Sequence, residues 1–223
     1  MVDRNTMEKR GNVFIKGAYE IFENPPTIDF EEIKQKDTVL MIMDMVNGFV
    51  KNGALMDQRI NSLIPGVTAL AKKFKVNGME ILAFADSHQQ KSTEFESFIQ
   101  HCLEGTAESE IIDELKEVGG YKLIKKNSTN GMYAPAFQEW LKDNFHKRTY
   151  VLIGDCTDIC VLQLALSIRA YYDQHNTEVE IMVVKELVDT YDLGLHDADV
   201  MNLFSFYVMH NSGIRIVRNI NLD

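Results

Sequence analysis

Cysteine, proline and long apolar runs are scarce in this sequence. Its 223 residues include three cysteines and four prolines. An odd, low number of thiols in a chain of this size argues against a disulfide framework and favours a reducing compartment. No apolar stretch reaches the roughly 20 residues that a bilayer-spanning helix needs. Residues 1–9 also lack the apolar core of a signal peptide. We therefore expect a cytoplasmic protein with no membrane partner.

Positive charge is also in deficit. Lysine and arginine number 23 against 33 aspartates and glutamates, which gives a formal net charge of −10. An acidic surface of this kind repels phosphate backbones, so we expect no nucleic-acid partner. The sequence also contains no G-x-G-x-x-G, P-loop or G-x-S-x-G motif, which disfavours dinucleotide binding, P-loop chemistry and the serine-hydrolase nucleophile elbow.

The composition is that of an ordinary globular domain. Hydrophobic residues make up 45% of the chain and charged residues 25%, which is enough apolar material for one large core. Residues 1–36 are polar and mixed apart from two apolar patches, at 13–15 and 21–22. We predict an N-terminal extension over residues 1–36 and a single domain over residues 37–223.

From residue 37 onward, short apolar runs alternate with helical patterns. The predicted strands cover residues 39–43, 81–85, 121–124, 150–153, 179–184 and 214–217, and the predicted helices cover residues 60–76, 111–118, 136–145, 158–172 and 197–210. Such alternation is typical of parallel βαβ units, so we predict an α/β fold with three α/β/α layers and a six-stranded parallel sheet. Ligands of such sheets bind beyond the carboxyl ends of the strands.

Three of the predicted strands deliver an acid, a base and a thiol to that edge. Asp44 ends the first strand, Lys125 and Lys126 end the third, and Cys160 follows the fourth at the start of a helix. Taken singly, these residues are more often a cap, a solvated surface and a core thiol. Together they offer a nucleophile, a proton acceptor and a cation, and a cation and a helix start favour the thiolate.

A second cluster follows the second predicted strand. Asp86, His88, Glu94 and His101 supply two carboxylates and two imidazoles within sixteen residues. This donor set suits Zn²⁺, Fe²⁺ or Mn²⁺, whereas the absence of thiolates disfavours a structural zinc site. The spacing is not a general metal signature, so a polar surface loop is an equally good interpretation of these residues.

Several motifs resemble the isochorismatase-like cysteine hydrolases and, within them, the nicotinamidases, also called pyrazinamidases. The similar segments are residues 43–45 with Phe49, 86–88, 101–106 and 154–161. The resemblance implies a Rossmann-like hydrolase fold and an Asp–Lys–Cys triad of Asp44, Lys126 and Cys160. Lys126 is preferred over Lys125 because the family motif places its lysine four residues before a small polar position, here Asn130.

The resemblance also implies the rest of the site. Backbone amides of Cys156 and Cys160 would form the oxyanion hole. Asp86, His88, Glu94 and His101 would hold one divalent metal ion, Zn²⁺ before Fe²⁺ or Mn²⁺, and Phe49 and Phe98 would flank the substrate ring. We choose Glu94 over Glu96 because it lies seven residues before His101, two turns of a helix if that segment is helical. A cis peptide bond is expected at 155–156.

The implied activity is hydrolysis of nicotinamide to nicotinate and ammonia through a cysteine thioester, in NAD salvage. Pyrazinamide would be a second substrate, and the chain would form a homo-oligomer. The alternatives are another hydrolase of the superfamily, acting on a carbamoyl amine or on isochorismate, and a non-catalytic metal-binding module. Val46, Asp155 and Cys156 depart from the family pattern, and these departures concern the fit of the substrate more than the triad.

Overall fold

Helices and strands alternate along most of the chain. The computed structural model describes residues 2–35 and 37–223. Its α-helices are α1 (Arg4–Phe22), α2 (Phe30–Ile33), α3 (Asn47–Val50), α4 (Gln58–Asn61), α5 (Ile64–Val76), α6 (Asp113–Val118), α7 (Pro135–Asp143), α8 (Leu162–Gln174) and α9 (Ala198–Asn211). Its strands are β1 (Ile28–Asp29), β2 (Thr38–Met43), β3 (Glu80–Asp86), β4 (Lys122–Lys126), β5 (Thr149–Asp155), β6 (Glu180–Asp189), β7 (Arg215–Val217) and β8 (Ile220–Asn221).

Six of these strands form one parallel sheet. Their order is β4-β3-β2-β5-β6-β7, and every neighbouring pair is parallel. The register aligns Met43 with Gly154 and Asp86 with Lys126. The carboxyl ends of the four strands from β4 to β5 therefore lie side by side. The predicted α/β fold with a six-stranded parallel sheet is confirmed.

The sheet is buried on both faces, which explains its continuous apolar strands. Every residue of β2 and of β5 is buried, as expected for central strands covered by helices. Two apolar clusters result, one on each side of the sheet. Two buried tyrosines, Tyr150 and Tyr172, share a hydrogen bond of 2.7 Å between their hydroxyl groups, so the polar tips that enter the core are paired.

Two predicted helices differ from the observed ones. The single helix predicted over residues 60–76 is divided into α4 and α5, and α5 begins just before Pro65. Proline has no N–H and favours the first turn of a helix, so the pattern of apolar residues continues across a break in the backbone. The helix predicted from residue 158 begins as a π-helical turn, Thr157–Val161, and becomes α8 at Leu162.

The first 35 residues contain a long helix that the sequence interpretation missed. In α1, Phe14, Ala18 and Phe22 recur at intervals of four residues and point to one side. Phe14 stacks on Phe204 of α9 with 4.7 Å between ring centroids, and Phe22 lies 6.1 Å from Phe206. Residues 28–29 then pair with β8 near the end of the chain. None of the helices in the described residues is long and apolar enough to cross a membrane.

Candidate active site

The carboxyl edge of the sheet brings together the residues of the expected triad. Asp44 directly follows β2, Lys126 ends β4, and Cys160 lies in the π-helical turn after β5. The ammonium Nζ of Lys126 lies 2.8 Å from Asp44 Oδ2 and 3.4 Å from Cys160 Sγ. All three residues are buried. The neighbouring Lys125 is exposed, and its Nζ lies 3.5 Å from Glu104 instead.

Asp86 adds a second carboxylate to the same lysine. Its Oδ1 lies 2.5 Å from Lys126 Nζ, and its backbone N–H donates a 3.0 Å hydrogen bond to Asp44 Oδ1. Two carboxylates around one buried ammonium keep the lysine charged, and they raise its pKa although burial alone would lower it. Lys126 therefore acts as a fixed positive charge between the thiol and both acids.

The two acids differ in how readily they accept a proton. Burial raises the pKa of Asp44 to about 6, against the opposing effect of Lys126. Burial also raises the pKa of Asp86, but Lys126, His101 and His88 lower it by more. The net result is a pKa below the usual value of an aspartate. Asp44 is consequently suited to take and return a proton near neutral pH, whereas Asp86 remains ionised.

The expectation of a favoured thiolate at Cys160 is wrong in this structure. The pKa of the thiol lies well above its usual value because the side chain is fully buried, and this burial outweighs the stabilising charge of Lys126. For the nucleophilic role that the resemblance implies, Cys160 would therefore start as a thiol and need a proton acceptor. Ligand oxygens or sulfur of Asp44, Asp86 and Cys160 all lie within 4.8 Å of one another, so such an acceptor is at hand.

The backbone expected to bind an oxyanion begins at the end of β5. The bond between Asp155 and Cys156 is cis, as the family resemblance predicted. The amides of Ile159 and Val161 both donate to the Cys156 carbonyl, at 3.2 and 3.1 Å, which closes the turn that holds Cys160. Among the described residues, no acceptor for the N–H of Cys156 is found. This pattern is compatible with the oxyanion-binding role that the resemblance implies for the Cys156 amide.

Gly154 permits the close contact between β2 and β5 that precedes these residues. It has a φ of +102°, and a Cβ at this position would lie 2.1 Å from the carbonyl oxygen of Met43. Any side chain would therefore push apart the two strands that carry Asp44 and Cys160.

The expected metal ligands converge beside the triad. One ligand atom from each of Asp86, His88, Glu94 and His101 lies within 4.8 Å of the others. The Nε2 atom of His88 is 3.5 Å from oxygens of Asp86 and of Glu94, and the Nε2 atom of His101 is 3.6 and 3.9 Å from oxygens of the same two residues. Donors 2.0–2.1 Å from a tetrahedral ion are separated by roughly 3.3 Å, so the spacing fits a small divalent cation.

Two atoms of this cluster have no hydrogen-bond partner in the part of the chain that the structure describes. His88 Nε2 and Glu94 Oε1 are buried, and neither makes a hydrogen bond to a described residue. Buried polar atoms are normally paired, and an ion between them would supply the missing interaction. The donor set and its geometry therefore fit a bound metal.

The structure places Glu94, and not Glu96, in the cluster. The reason is not the predicted helix with Glu94 and His101 on one face. Glu94 is partly buried and lies in a short 3₁₀ turn, Thr93–Glu96, whereas Glu96 is exposed. The turn ends five residues before His101, so no helix carries both side chains. The chain instead folds back, and the backbone N–H of Thr129 donates a 2.9 Å hydrogen bond to Glu94 Oε2.

A small cavity of about 20 Å³ lies over both clusters. Phe49 and Phe98, the two expected substrate contacts, line it, and their rings lie 5.4 and 6.4 Å from the His101 ring. The sequence interpretation missed four further lining residues, which are Leu55, Thr129, Ile159 and Tyr191. Thr129 lies three residues after Lys126, and Ile159 lies directly before Cys160. Their closeness in sequence to these motif residues is the signal that could have identified them. Tyr191 follows β6, and no local pattern marks it.

Comparison with known proteins agrees with this geometry. A family model described as the isochorismatase domain matches residues 38–212. The chain belongs to the isochorismatase family. It is 28% identical over 214 residues to Nicotinamidase 1 of Arabidopsis thaliana, covering 82% of this chain and 86% of that protein.

Solved structures resemble the chain over most of its length. The N-carbamoylsarcosine amidase of Thermoplasma acidophilum superimposes with a TM-score of 0.66 at 25% identity, covering 81% of this chain and 95% of that one. The pyrazinamidase of Pyrococcus horikoshii in complex with zinc gives a TM-score of 0.66 at 22% identity, covering 81% of this chain and 98% of that one. Both have the fold of this isochorismatase-family hydrolase, and at 22% identity the second shows the fold alone.

Proposed function

We propose that this isochorismatase-family hydrolase converts nicotinamide to nicotinate and ammonia, and that it acts on pyrazinamide in the same way. The observation that carries the proposal is the shared position of Asp86, which contacts Lys126 of the triad and both histidines of the metal cluster. Because residues of both clusters line one cavity, we assign Cys160 to the carboxamide and the candidate cation site to the ring nitrogen of the same substrate. The similarity to the Arabidopsis nicotinamidase supports the same assignment.

In the proposed reaction Cys160 forms and then loses a bond to the carbonyl carbon. Asp44 takes the thiol proton as Sγ attacks, and the backbone N–H groups of Cys156 and Cys160 donate hydrogen bonds to the negative oxygen. Collapse of the tetrahedral species breaks the carbon–nitrogen bond, and Asp44 returns the proton so that ammonia leaves. Asp44 then removes a proton from water, which attacks the thioester, and that proton restores the Cys160 thiol.

Lys126 and the aromatic side chains have supporting roles. The ammonium of Lys126 lowers the cost of negative charge on Cys160 and keeps Asp44 in place through its 2.8 Å contact. Phe49 and Phe98 offer apolar faces to a flat heteroaromatic ring.

Asp86, His88, Glu94 and His101 would hold the metal ion, for which Zn²⁺ is our first choice and Fe²⁺ or Mn²⁺ the alternatives. When bound, the ion would supply a Lewis-acidic point for the ring nitrogen of the substrate. The product nicotinate is a precursor for NAD synthesis, so we place the reaction in NAD salvage in the cytoplasm.

Ammonia release from a substrate panel tests this function. The panel contains nicotinamide, pyrazinamide, N-carbamoylsarcosine and isochorismate, and pyruvate formation reports on the last. We expect nicotinamide and pyrazinamide to be the preferred substrates. The variant Cys160→Ala should lose on the order of 10⁴-fold or more in kcat, since loss of a nucleophile removes most of the chemistry.

The matched control is Cys102→Ala, which removes a buried thiol that belongs to neither the triad nor the ligand set. This variant should retain turnover. Preferred hydrolysis of N-carbamoylsarcosine would indicate a carbamoyl-amine amidase on the same fold, and turnover by Cys160→Ala would contradict the proposed nucleophile. A fully inactive wild-type protein that binds metal would favour a non-catalytic metal-binding module.

A further inference from the structure

The loop that follows Lys126 contacts two of the four candidate metal ligands. Asn127 reaches His88 through its side chain, and Thr129 reaches Glu94 through its backbone. We propose that Asn127 and Thr129 are positioning residues that fix the orientation of these two ligands from outside the coordination sphere. This inference rests on the proposed metal site and deepens it.

Asn127 determines which nitrogen of His88 is protonated. Its Oδ1 lies 3.3 Å from His88 Nδ1, and the same oxygen accepts a 3.2 Å hydrogen bond from the backbone N–H of Gln89. Because a backbone N–H can only donate, the atom of the amide that faces it must be the oxygen and not the nitrogen. His88 Nδ1 must therefore donate, so in the neutral ring, which is the form that binds a metal, the lone pair lies on Nε2.

That lone pair points to the metal cluster. His88 is fully buried, and its Nε2 has no hydrogen-bond partner among the described residues although it faces oxygens of Asp86 and Glu94 at 3.5 Å. A metal-bound imidazole needs this tautomer, since the ligating nitrogen cannot carry a proton. Asn127 thus prepares His88 for a cation before the cation binds.

The second histidine, His101, has a different hydrogen-bond partner at Nδ1. His101 Nδ1 lies 2.7 Å from the carbonyl oxygen of Ile99, which can only accept, so in the neutral ring the lone pair is also on Nε2, which is directed to Asp86 and Glu94. This partner is a main-chain atom close by in sequence. For His88 the partner is a side chain, and a substitution can remove it.

Thr129 fixes the orientation of Glu94 in a comparable way. Its N–H binds Oε2, so Oε1 remains free on the side of the two histidines. Glu94 lies on a short 3₁₀ turn that has no buried residue of its own. The loop is in turn fixed to α8, because the Thr129 hydroxyl donates a 3.1 Å hydrogen bond to Gln163 Oε1. One loop thereby connects the candidate catalytic lysine to two candidate ligands.

Zinc binding to the purified, metal-stripped protein tests the inference without any substrate. Competition with a chromogenic chelator gives the zinc affinity of the wild type and of three variants. Asn127→Leu keeps the approximate volume but has no acceptor, and we expect it to bind zinc 10- to 100-fold more weakly. Asn127→Asp keeps an acceptor oxygen and should restore most of the affinity. Ser128→Ala, whose hydroxyl bonds only the nearby Asn130 carbonyl, is the control and should bind as the wild type does.

A second measurement does not depend on the folding of a variant. In a long-range ¹H–¹⁵N spectrum of the metal-free wild type, His88 should give the pattern of an imidazole protonated at Nδ1. Protonation at Nε2 with Nδ1 unprotonated would overturn the inference, as would equal zinc affinity of the wild type and Asn127→Leu. A wild type that binds no zinc would contradict both the metal site and this inference, whereas the equal-affinity result would leave the metal site intact.

Discussion

At the scale of single residues, Asp86 joins the two halves of the site. Its Oδ1 contacts Lys126 Nζ at 2.5 Å, and its two oxygens lie 3.5 and 3.6 Å from the Nε2 atoms of His88 and His101. Because one carboxylate contacts both Lys126 and the two histidines, a change in its position affects both sets of contacts. Any substitution of Asp86 should therefore disturb both metal retention and the position of Lys126.

Gly154 offers a sharper test at this scale. In Gly154→Ala the new methyl group would meet the Met43 carbonyl oxygen at 2.1 Å, and the alanine would also keep a φ of +102°. We expect a loss of about 3 kcal/mol in the free energy of unfolding, because strain and a backbone clash combine. Denaturant unfolding measures this loss. The activity assay should show lower turnover, because the clash displaces the triad.

The matched control separates conformational strain from the clash. Gly78 also has a positive φ, +66°, but nothing lies within 4 Å of its Cβ position. Gly78→Ala should therefore cost only about 1 kcal/mol and should leave activity intact. Equal losses for the two variants would show that the close approach of β2 and β5 has no particular energetic importance.

At the scale of elements, the loop after β6 supplies one wall of the cavity. Tyr191 lines the cavity and stacks on His196 with 4.2 Å between ring centroids. His196 Nε2 lies 2.8 Å from Asp158 Oδ2, and Asp158 belongs to the π-helical turn that carries Cys160. The loop is thus attached to the same turn as the nucleophile, although it comes from a different strand.

We predict that His196→Ala raises KM severalfold with little change in kcat. Without the imidazole, Tyr191 loses its stacking partner and the loop loses its contact with Asp158, while the triad itself is untouched. Steady-state kinetics with nicotinamide measure both constants. His175→Ala is the control, since His175 also packs on a tyrosine, Tyr171, at 4.6 Å but does not line the cavity. A fall in kcat with unchanged KM for His196→Ala would refute a role confined to the cavity wall.

The sequence predicts these elements unevenly, for physical reasons. The central strands are buried on both faces, so their apolar runs are continuous and easily recognised, and the residues at their ends follow directly. The helical pattern over residues 60–76 is continuous although Pro65 interrupts the backbone, because side-chain periodicity does not report hydrogen bonds. Tyr191 comes to the site only through tertiary folding, so no local spacing indicates it. Asn127 directly follows Lys126, but its contact with His88, 39 residues away in sequence, forms only in the folded chain.

At the scale of the whole molecule, α1 covers part of the outer layer. Its contact side packs on α9, whereas Val13, Tyr19 and Ile21 remain exposed. The homo-oligomer expected from the apolar patches of residues 1–36 stays a prediction, as does the division of the chain at residue 36. The sequence interpretation missed the helix because its apolar residues occupy both the packed and the exposed sides.

Packing of α1 should contribute to stability and not to catalysis. Phe22 is 3% exposed, so we expect Phe22→Ala to lower the free energy of unfolding by about 3 kcal/mol through the cavity that it leaves. Val13 is 74% exposed, so Val13→Ala should change stability by less than about 0.5 kcal/mol. Thermal and denaturant unfolding measure both variants. A change in kcat/KM for folded Phe22→Ala would contradict a purely structural role.

The sheet order has a consequence for how the chain is made. Synthesis yields β2, β3 and β4 first, and these three are neighbours in the order β4-β3-β2. The four candidate metal ligands and Lys126 thus emerge from the ribosome before β5 and Cys160. Until β5 is synthesised, one edge of β2 is unpaired. All six residues of this strand are buried in the folded protein. An exposed apolar edge is prone to aggregate, so we expect the nascent protein to be vulnerable to aggregation just before Cys160 is added.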